Sequence, residues 1–177
     1  KLKGVDMCGE ELSLAKARMS DGVVDLFQLE AQNLTAIKNA SIDIVLCHWA
    51  LTLMDPITPV LKEVNRILSS GGKFAALVNG PMDTAPGYLD VYNLIYKYVQ
   101  TKLPNYGKID LGDPRIRATK SLEHLVGEAF PSAEVSIENN IVSMVGPVAE
   151  VSETAAGFFY ASFILPTELR MIMLSDL

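Results

Sequence analysis

The chain has 177 residues, enough for one domain with a full core or for one domain plus a small cap. Its net charge of −6, with no lysine and arginine stripe, speaks against a nucleic-acid partner. Apolar residues make up 49%, yet the longest nearly uncharged stretches, 44–54 and 155–166, fall short of the ~18 residues that a membrane span needs.

Two cysteines, Cys8 and Cys47, make no disulfide framework and point to a reducing, cytoplasmic setting. Together with His48 and His124 they show no metal-ligand spacing, so no metal site is expected.

Residues 1–6 (KLKGVD) read as the end of a strand that meets an acidic residue, Asp6. A helix follows over 7–19, with Leu12, Ala15 and Met19 on one face and Cys8 or Gly9 near its cap. Residues 23–28 (VVDLFQ) are a second strand, and 30–40 a polar loop or short helix. Residues 42–47 and 73–78 are short β-branched apolar runs of the kind buried on both faces of a parallel sheet.

Between those two runs lies an amphipathic helix. Ile57, Val60, Leu61, Val64, Ile67 and Leu68 follow helical spacing, Lys62, Glu63, Asn65 and Arg66 take the outer face, and Gly71 and Gly72 are expected to stop it. Its start falls at Pro59 behind Thr58, or earlier at Asp55 before Pro56. The alternation of strands and helices up to Asn79 predicts a mostly parallel, Rossmann-like α/β sheet with helices on both faces.

Past Asn79 the pattern changes. A loop rich in glycine and proline leads to an aromatic helix over 88–103, the place for a cap, and 104–118 is loop-like. A helix over 121–130 ends at Pro131, 133–151 is β-prone as one strand or a hairpin turning at Asn139 and Asn140, 152–165 is a second cap helix, and the tail after Pro166 is helical. This divides the chain into a partial cofactor-binding core (1–80), a cap (81–118), the rest of the core (119–151) and C-terminal cap helices (152–177).

In such sheets ligands bind outside the carboxyl ends of the strands. Asp6, the Glu30 and Ala31 pair, and Cys47, His48 and Trp49 fall at such ends. A carboxylate there can accept both hydroxyls of a ribose. His48 is a candidate general base, since histidine titrates near neutrality, or a side chain that shapes the pocket.

Residues 4–18 (GVDMCGEELSLAKAR), 27–34 (FQLEAQNL), 42–51 (IDIVLCHWAL) and 61–74 (LKEVNRILSSGGKF) resemble four successive blocks of the class I S-adenosylmethionine-dependent methyltransferases. They are most similar to the small-molecule branch that includes ubiquinone and menaquinone biosynthesis enzymes. The resemblance implies that Asp6 holds the ribose hydroxyls, Met7 lies beside the adenine, Glu30 and Ala31 read the adenine edge, and Cys47 and His48 contact the methionine part and face the substrate. Glu30 stands where the family usually has aspartate.

The family's glycine-rich first strand, which lies between the strands ending at Asp6 and Cys47, is not in this sequence, so residues preceding Lys1 are expected in the natural protein. Trp49, Tyr88 and Tyr92 are candidates for the wall of an apolar or aromatic substrate pocket. Two other functions fit parts of the pattern. A nicotinamide-dependent dehydrogenase would use Asp6 equally well, and Tyr98 with Lys102 matches its Tyr-x-x-x-Lys motif, but no serine lies between Ser70 and Ser121 to complete it. A non-catalytic methyltransferase-like partner subunit is the other.

Overall fold

The computed structural model describes residues 1–20, 22–81, 84–107 and 112–177. The expected loops over 80–87 and 104–118 therefore lie partly outside the described residues. The chain divides into two compact units, Lys1–Val78 with Leu111–Ser136, and Asn79–Asp110 with Ile137–Leu177.

The first unit contains two βαβ crossovers. Strand β1 (Leu2–Asp6), helix α1 (Gly9–Arg18) and strand β2 (Val24–Gln28) form one; β1 and β2 pair in parallel from Leu2 opposite Val24 to Asp6 opposite Gln28. Strand β3 (Ile42–His48), a 3-10 helix (Ala50–Leu53), helix α2 (Ile57–Ile67) and strand β4 (Leu68–Leu77) form the other, with His48 opposite Leu77 at the carboxyl end. The strands thus lie in two two-stranded parallel sheets. The helical stripe of α2 is buried along its whole length, at Ile57, Val60, Leu61, Val64 and Ile67. It packs with Leu51, Ile116, Leu125 and Phe130 into one core, against which Val45, Cys47 and Phe74 lie from the sheet. Helix α4 (Thr119–Ala129), expected over 121–130, closes that core through Leu125 and Ala129.

Three expectations for this unit need correction. Gly71 and Gly72 do not stop α2: the helix ends at Ile67, Leu68 is already extended at φ −65° and ψ 134°, and both glycines lie inside β4. Gly71 keeps a positive φ of 77°, while Gly72 lies so close to Ile42 that a Cβ would meet its carbonyl oxygen at 3.2 Å, beside the register shift between Ile42 and Ile44. The β3 strand is not buried on both faces, because Ile44 is 61% and Leu46 76% exposed; a continuous apolar run carries no period from which one face could be told from two. Glu63 and Arg66 are not on an open outer face but half-buried beneath the loop after β2.

The second unit is helical. Helix α3 (Tyr88–Gln100) lies where the aromatic run predicts and buries Ile95 and Val99. Helices α5 (Val148–Gly157), α6 (Tyr160–Ile164) and α7 (Thr167–Asp176) pack on it through Ala156, Phe159, Ala161, Leu165 and Met173. The β-prone stretch over 133–151 forms neither a strand nor a hairpin: 133–147 is irregular and almost wholly exposed, and α5 takes over at Val148 behind Pro147. The cap helix expected over 152–165 is two helices, the first of which begins earlier, at Val148, so Ser152 is a buried residue in its interior. High β propensity without a neighbouring strand to pair with is not sufficient for a strand.

Candidate functional site at the carboxyl ends of the strands

Asp6 ends β1, and its carboxylate is oriented by the chain that follows. Cys8 N–H donates to its Oδ1 at 2.8 Å, which leaves Oδ2 exposed and without a hydrogen-bond partner among the described residues. Met7 stands beside it with its side chain 69% exposed. Gln28, opposite Asp6 on β2, donates from Nε2 to the Met7 carbonyl at 3.2 Å and holds the start of the turn.

Two residues beyond Gln28, Glu30 is exposed and opens a turn closed by Asn33 N–H to the Glu30 carbonyl at 2.9 Å, while Ala31 packs against the core. This loop is fastened from below by α2. Arg66 donates to Glu63, to the carbonyls of Leu34 and Ile37 and to Asn39, and Glu63 accepts the Leu34 N–H at 2.6 Å. The Arg66 guanidinium holds the Glu63 carboxyl below the usual glutamate range. Leu34 and Ile37 are then free to bury their side chains with Ile67.

At the end of β3 the chain makes a tight reversal. Trp49 has φ 57° and ψ −6°, a left-handed conformation that is rare for a bulky residue and is frequent at functional sites. Its N–H donates to the Leu77 carbonyl at the end of β4, and its carbonyl accepts the Thr52 hydroxyl at 2.6 Å. The His48 and Trp49 rings stack at 5.1 Å, both residues exposed. Burial pushes the Cys47 thiol up, against the pull of the Leu51 and Ala50 backbone N–H groups, which favours the thiol over the thiolate.

Tyr88 and Tyr92 belong to the second unit. Both pack against Phe159, at 5.6 and 6.2 Å between ring centroids, and Tyr92 stacks on Tyr96 at 4.0 Å. Burial, followed by the neighbouring tyrosines, pushes the Tyr96 hydroxyl up to about 12. Tyr98 donates its hydroxyl to Asp176 on α7, which accounts for it as a helix-packing residue. His124 lies on the surface of α4, 3.4 Å from Glu128. Among the described residues no group of histidines, cysteines and carboxylates could hold a metal, and no helix is long and apolar enough to cross a membrane. A cavity of about 450 Å³ opens between the end of α1 and the start of β2, lined by Lys16, Met19, Gly22, Val24 and Phe27; it lies at the amino end of β2, away from the residues above.

Asp6, Met7, Glu30, Ala31, Cys47, His48 and Trp49 thus all belong to the first unit and to the carboxyl ends of its strands or the loops that follow. The fastening roles of Glu63, Arg66 and Thr52 escaped the sequence reading, as did those of Gly112 and Arg117, which meet the Thr52 carbonyl. Only the glycine before Asp113 and Pro114 gives a local signal, as a turn before a helix start.

This arrangement is that of the Rossmann-like methyltransferase fold, with acidic side chains at the carboxyl ends of parallel strands and helices on the faces. The methyltransferase domain family matches residues 1–76, which include Asp6, Glu30, Cys47, His48 and Trp49. An Anabaena variabilis protein assigned as a methyltransferase of an antibiotic biosynthesis pathway shares the fold over 98% of this chain and 67% of its own, with a TM-score of 0.63 and 14% identity. A chain from the complex between the Haloferax volcanii Trm112 methyltransferase activator and its methyltransferase aligns over 72% of this chain and 49% of its own, at 0.52 and 20%. A Listeria monocytogenes protein assigned as an S-adenosylmethionine-dependent methyltransferase is 29% identical over 49% of this chain, at 0.43. The chain spans 40% of the length of that Listeria protein. No match was found among curated proteins.

Proposed function

We propose that the chain is the S-adenosylmethionine-binding part of a methyltransferase that acts on a small apolar or aromatic molecule. The observation that carries this reading is the Asp6 carboxylate, fixed by Cys8 N–H with Oδ2 left open at the end of β1, within the region that matches the methyltransferase domain. The available groups fit the cofactor chemically: two exposed carboxylates, Asp6 and Glu30, can accept hydroxyl and amine donors, and the thioether of Met7 offers an apolar surface to a planar base. Asp6 would hold the ribose hydroxyls, Glu30 and Ala31 the adenine edge, and Cys47 and His48 the methionine end. When bound, S-adenosylmethionine supplies a sulfonium-activated methyl group, so the chain's contribution is chiefly position and exclusion of water. His48 could take a proton from an acceptor hydroxyl or amine, and Trp49 could present aromatic surface to it.

Calorimetric titration with S-adenosylmethionine, S-adenosylhomocysteine and NAD tests the reading. Binding of the first two but not the third, with a loss of about tenfold or more in Asp6→Ala, is expected. Binding of NAD alone would favour the dehydrogenase. Failure to bind any of the three would leave the partner-subunit reading, for which the likeness to a chain from the Trm112 complex is the favouring observation.

A further inference from the structure

The backbone that follows the reversal at Trp49 is held by a segment some sixty residues downstream. Gly112, with φ +71°, packs its Cα directly on the Thr52 carbonyl: a Cβ there would lie 2.7 Å from the Thr52 carbonyl carbon and 3.1 Å from that of Leu53. No side chain fits, and an L-residue would also strain at that φ. Next, Asp113 N–H donates to the Met54 carbonyl at 3.1 Å, and Arg117 Nη2 donates to the Thr52 carbonyl at 3.3 Å. The 3-10 helix Pro114–Arg117 that carries Arg117 is itself locked, because Asp113 accepts the Arg115 N–H and the Nε and Nη2 donors of its guanidinium, and Ile116 is buried in the core beside Leu51. Thr52 is 4% exposed; its hydroxyl reaches back to the Trp49 carbonyl while its own carbonyl faces Arg117 and Gly112. The backbone of 52–54 is therefore clamped between the reversal and the 112–117 segment.

We infer that Gly112, Thr52 and Arg117 are positioning residues for the methyl-donor end of the site, setting where the left-handed Trp49 turn presents His48 and Trp49. This rests on the proposed function for what the turn serves, but not for the clamp itself. A displacement of the 52–54 backbone reaches the turn through the Thr52 hydroxyl, which donates to the Trp49 carbonyl. Small misplacements of this kind are costly in a site that works by position.

Trp49 is the single tryptophan of the sequence, so its fluorescence reports on the turn directly. The test compares the full chain with Gly112→Ala, Arg117→Ala, Thr52→Val and Thr52→Ser, with His124→Ala on exposed α4 as a control. Gly112→Ala and Thr52→Val should shift Trp49 emission and the His48 ring NMR signals with far-UV circular dichroism unchanged, and should weaken S-adenosylhomocysteine binding about tenfold. Arg117→Ala should do so about threefold, and Thr52→Ser and His124→Ala should stay at the parent values. Unmoved Trp49 and His48 signals in folded Gly112→Ala and Thr52→Val would overturn the inference. So would loss of fold in Gly112→Ala, Thr52→Val and Arg117→Ala alike, since the residues would then serve only stability. If the parent chain binds no S-adenosylhomocysteine, the proposed function fails while the Trp49 and His48 shifts still decide the clamp.

Discussion

The two crossovers of the first unit have the same topology and opposite packing. In β3–α2–β4 the helix buries five side chains and the sheet shares their core; in β1–α1–β2 the helix buries none, and Leu12, Ala15 and Met19 reach only partial cover. Each carries half of the candidate site. The difference teaches that order at Asp6 comes from local hydrogen bonds and strand pairing, whereas order at His48 and Trp49 comes from a packed core and a distant clamp.

The largest effect that would break this comparison is a cavity under α2. Leu61→Ala, at a residue 1% exposed, should cost about 2–5 kcal/mol in urea unfolding, whereas Leu12→Ala on α1 should cost under about 1 kcal/mol. Equal losses would show that the crossovers are not held differently.

Next in size is Arg66→Ala, which strips donors from the carbonyls of Leu34 and Ile37 and leaves Glu63 half-buried without its partner. A loss of about 1–3 kcal/mol is expected, with hydrogen exchange speeding up in the 30–40 loop before it does in β3.

A smaller effect comes from pH. The Glu63 carboxyl is held down mainly by the Arg66 hydrogen bond, and its contribution is present above the ordinary glutamate range and lost as pH falls through the depressed folded value. Glu63→Gln should therefore flatten the acid limb of stability against pH, read by thermal unfolding. Asp113, lowered mainly by its hydrogen bond from Arg115, should leave a residual slope with the same sign.

The placement of the candidate residues at strand ends was legible, because local pattern reveals where strands close. Asp6, Glu30 and His48 each lie at or just past the close of a short stretch that reads as a strand, and α2 announces itself by spacing alone. The supports were not legible. Glu63 and Arg66 look like an ordinary surface pair three residues apart, and nothing nearby in sequence says that a loop from 29 to 32 residues earlier will settle on them. Gly112 meets Thr52 across sixty residues, a contact that no window of periodicity spans. The stretch over 133–151 misled for the reverse reason, since its local propensity is high and no partner strand is there to realise it.

That stretch has a practical consequence. Ile141 to Val145 (IVSMV) is five uncharged residues of high β propensity, with Val142 92% and Val145 97% exposed, in backbone committed to no sheet. Such a window can recruit its own copy on another molecule, so concentrated samples should thicken or precipitate from this point while the folded units stay intact. A lysine at 142 would place a charge where no packing is at stake. The shelf life of the protein at high concentration is therefore set by residues that contribute nothing to its core.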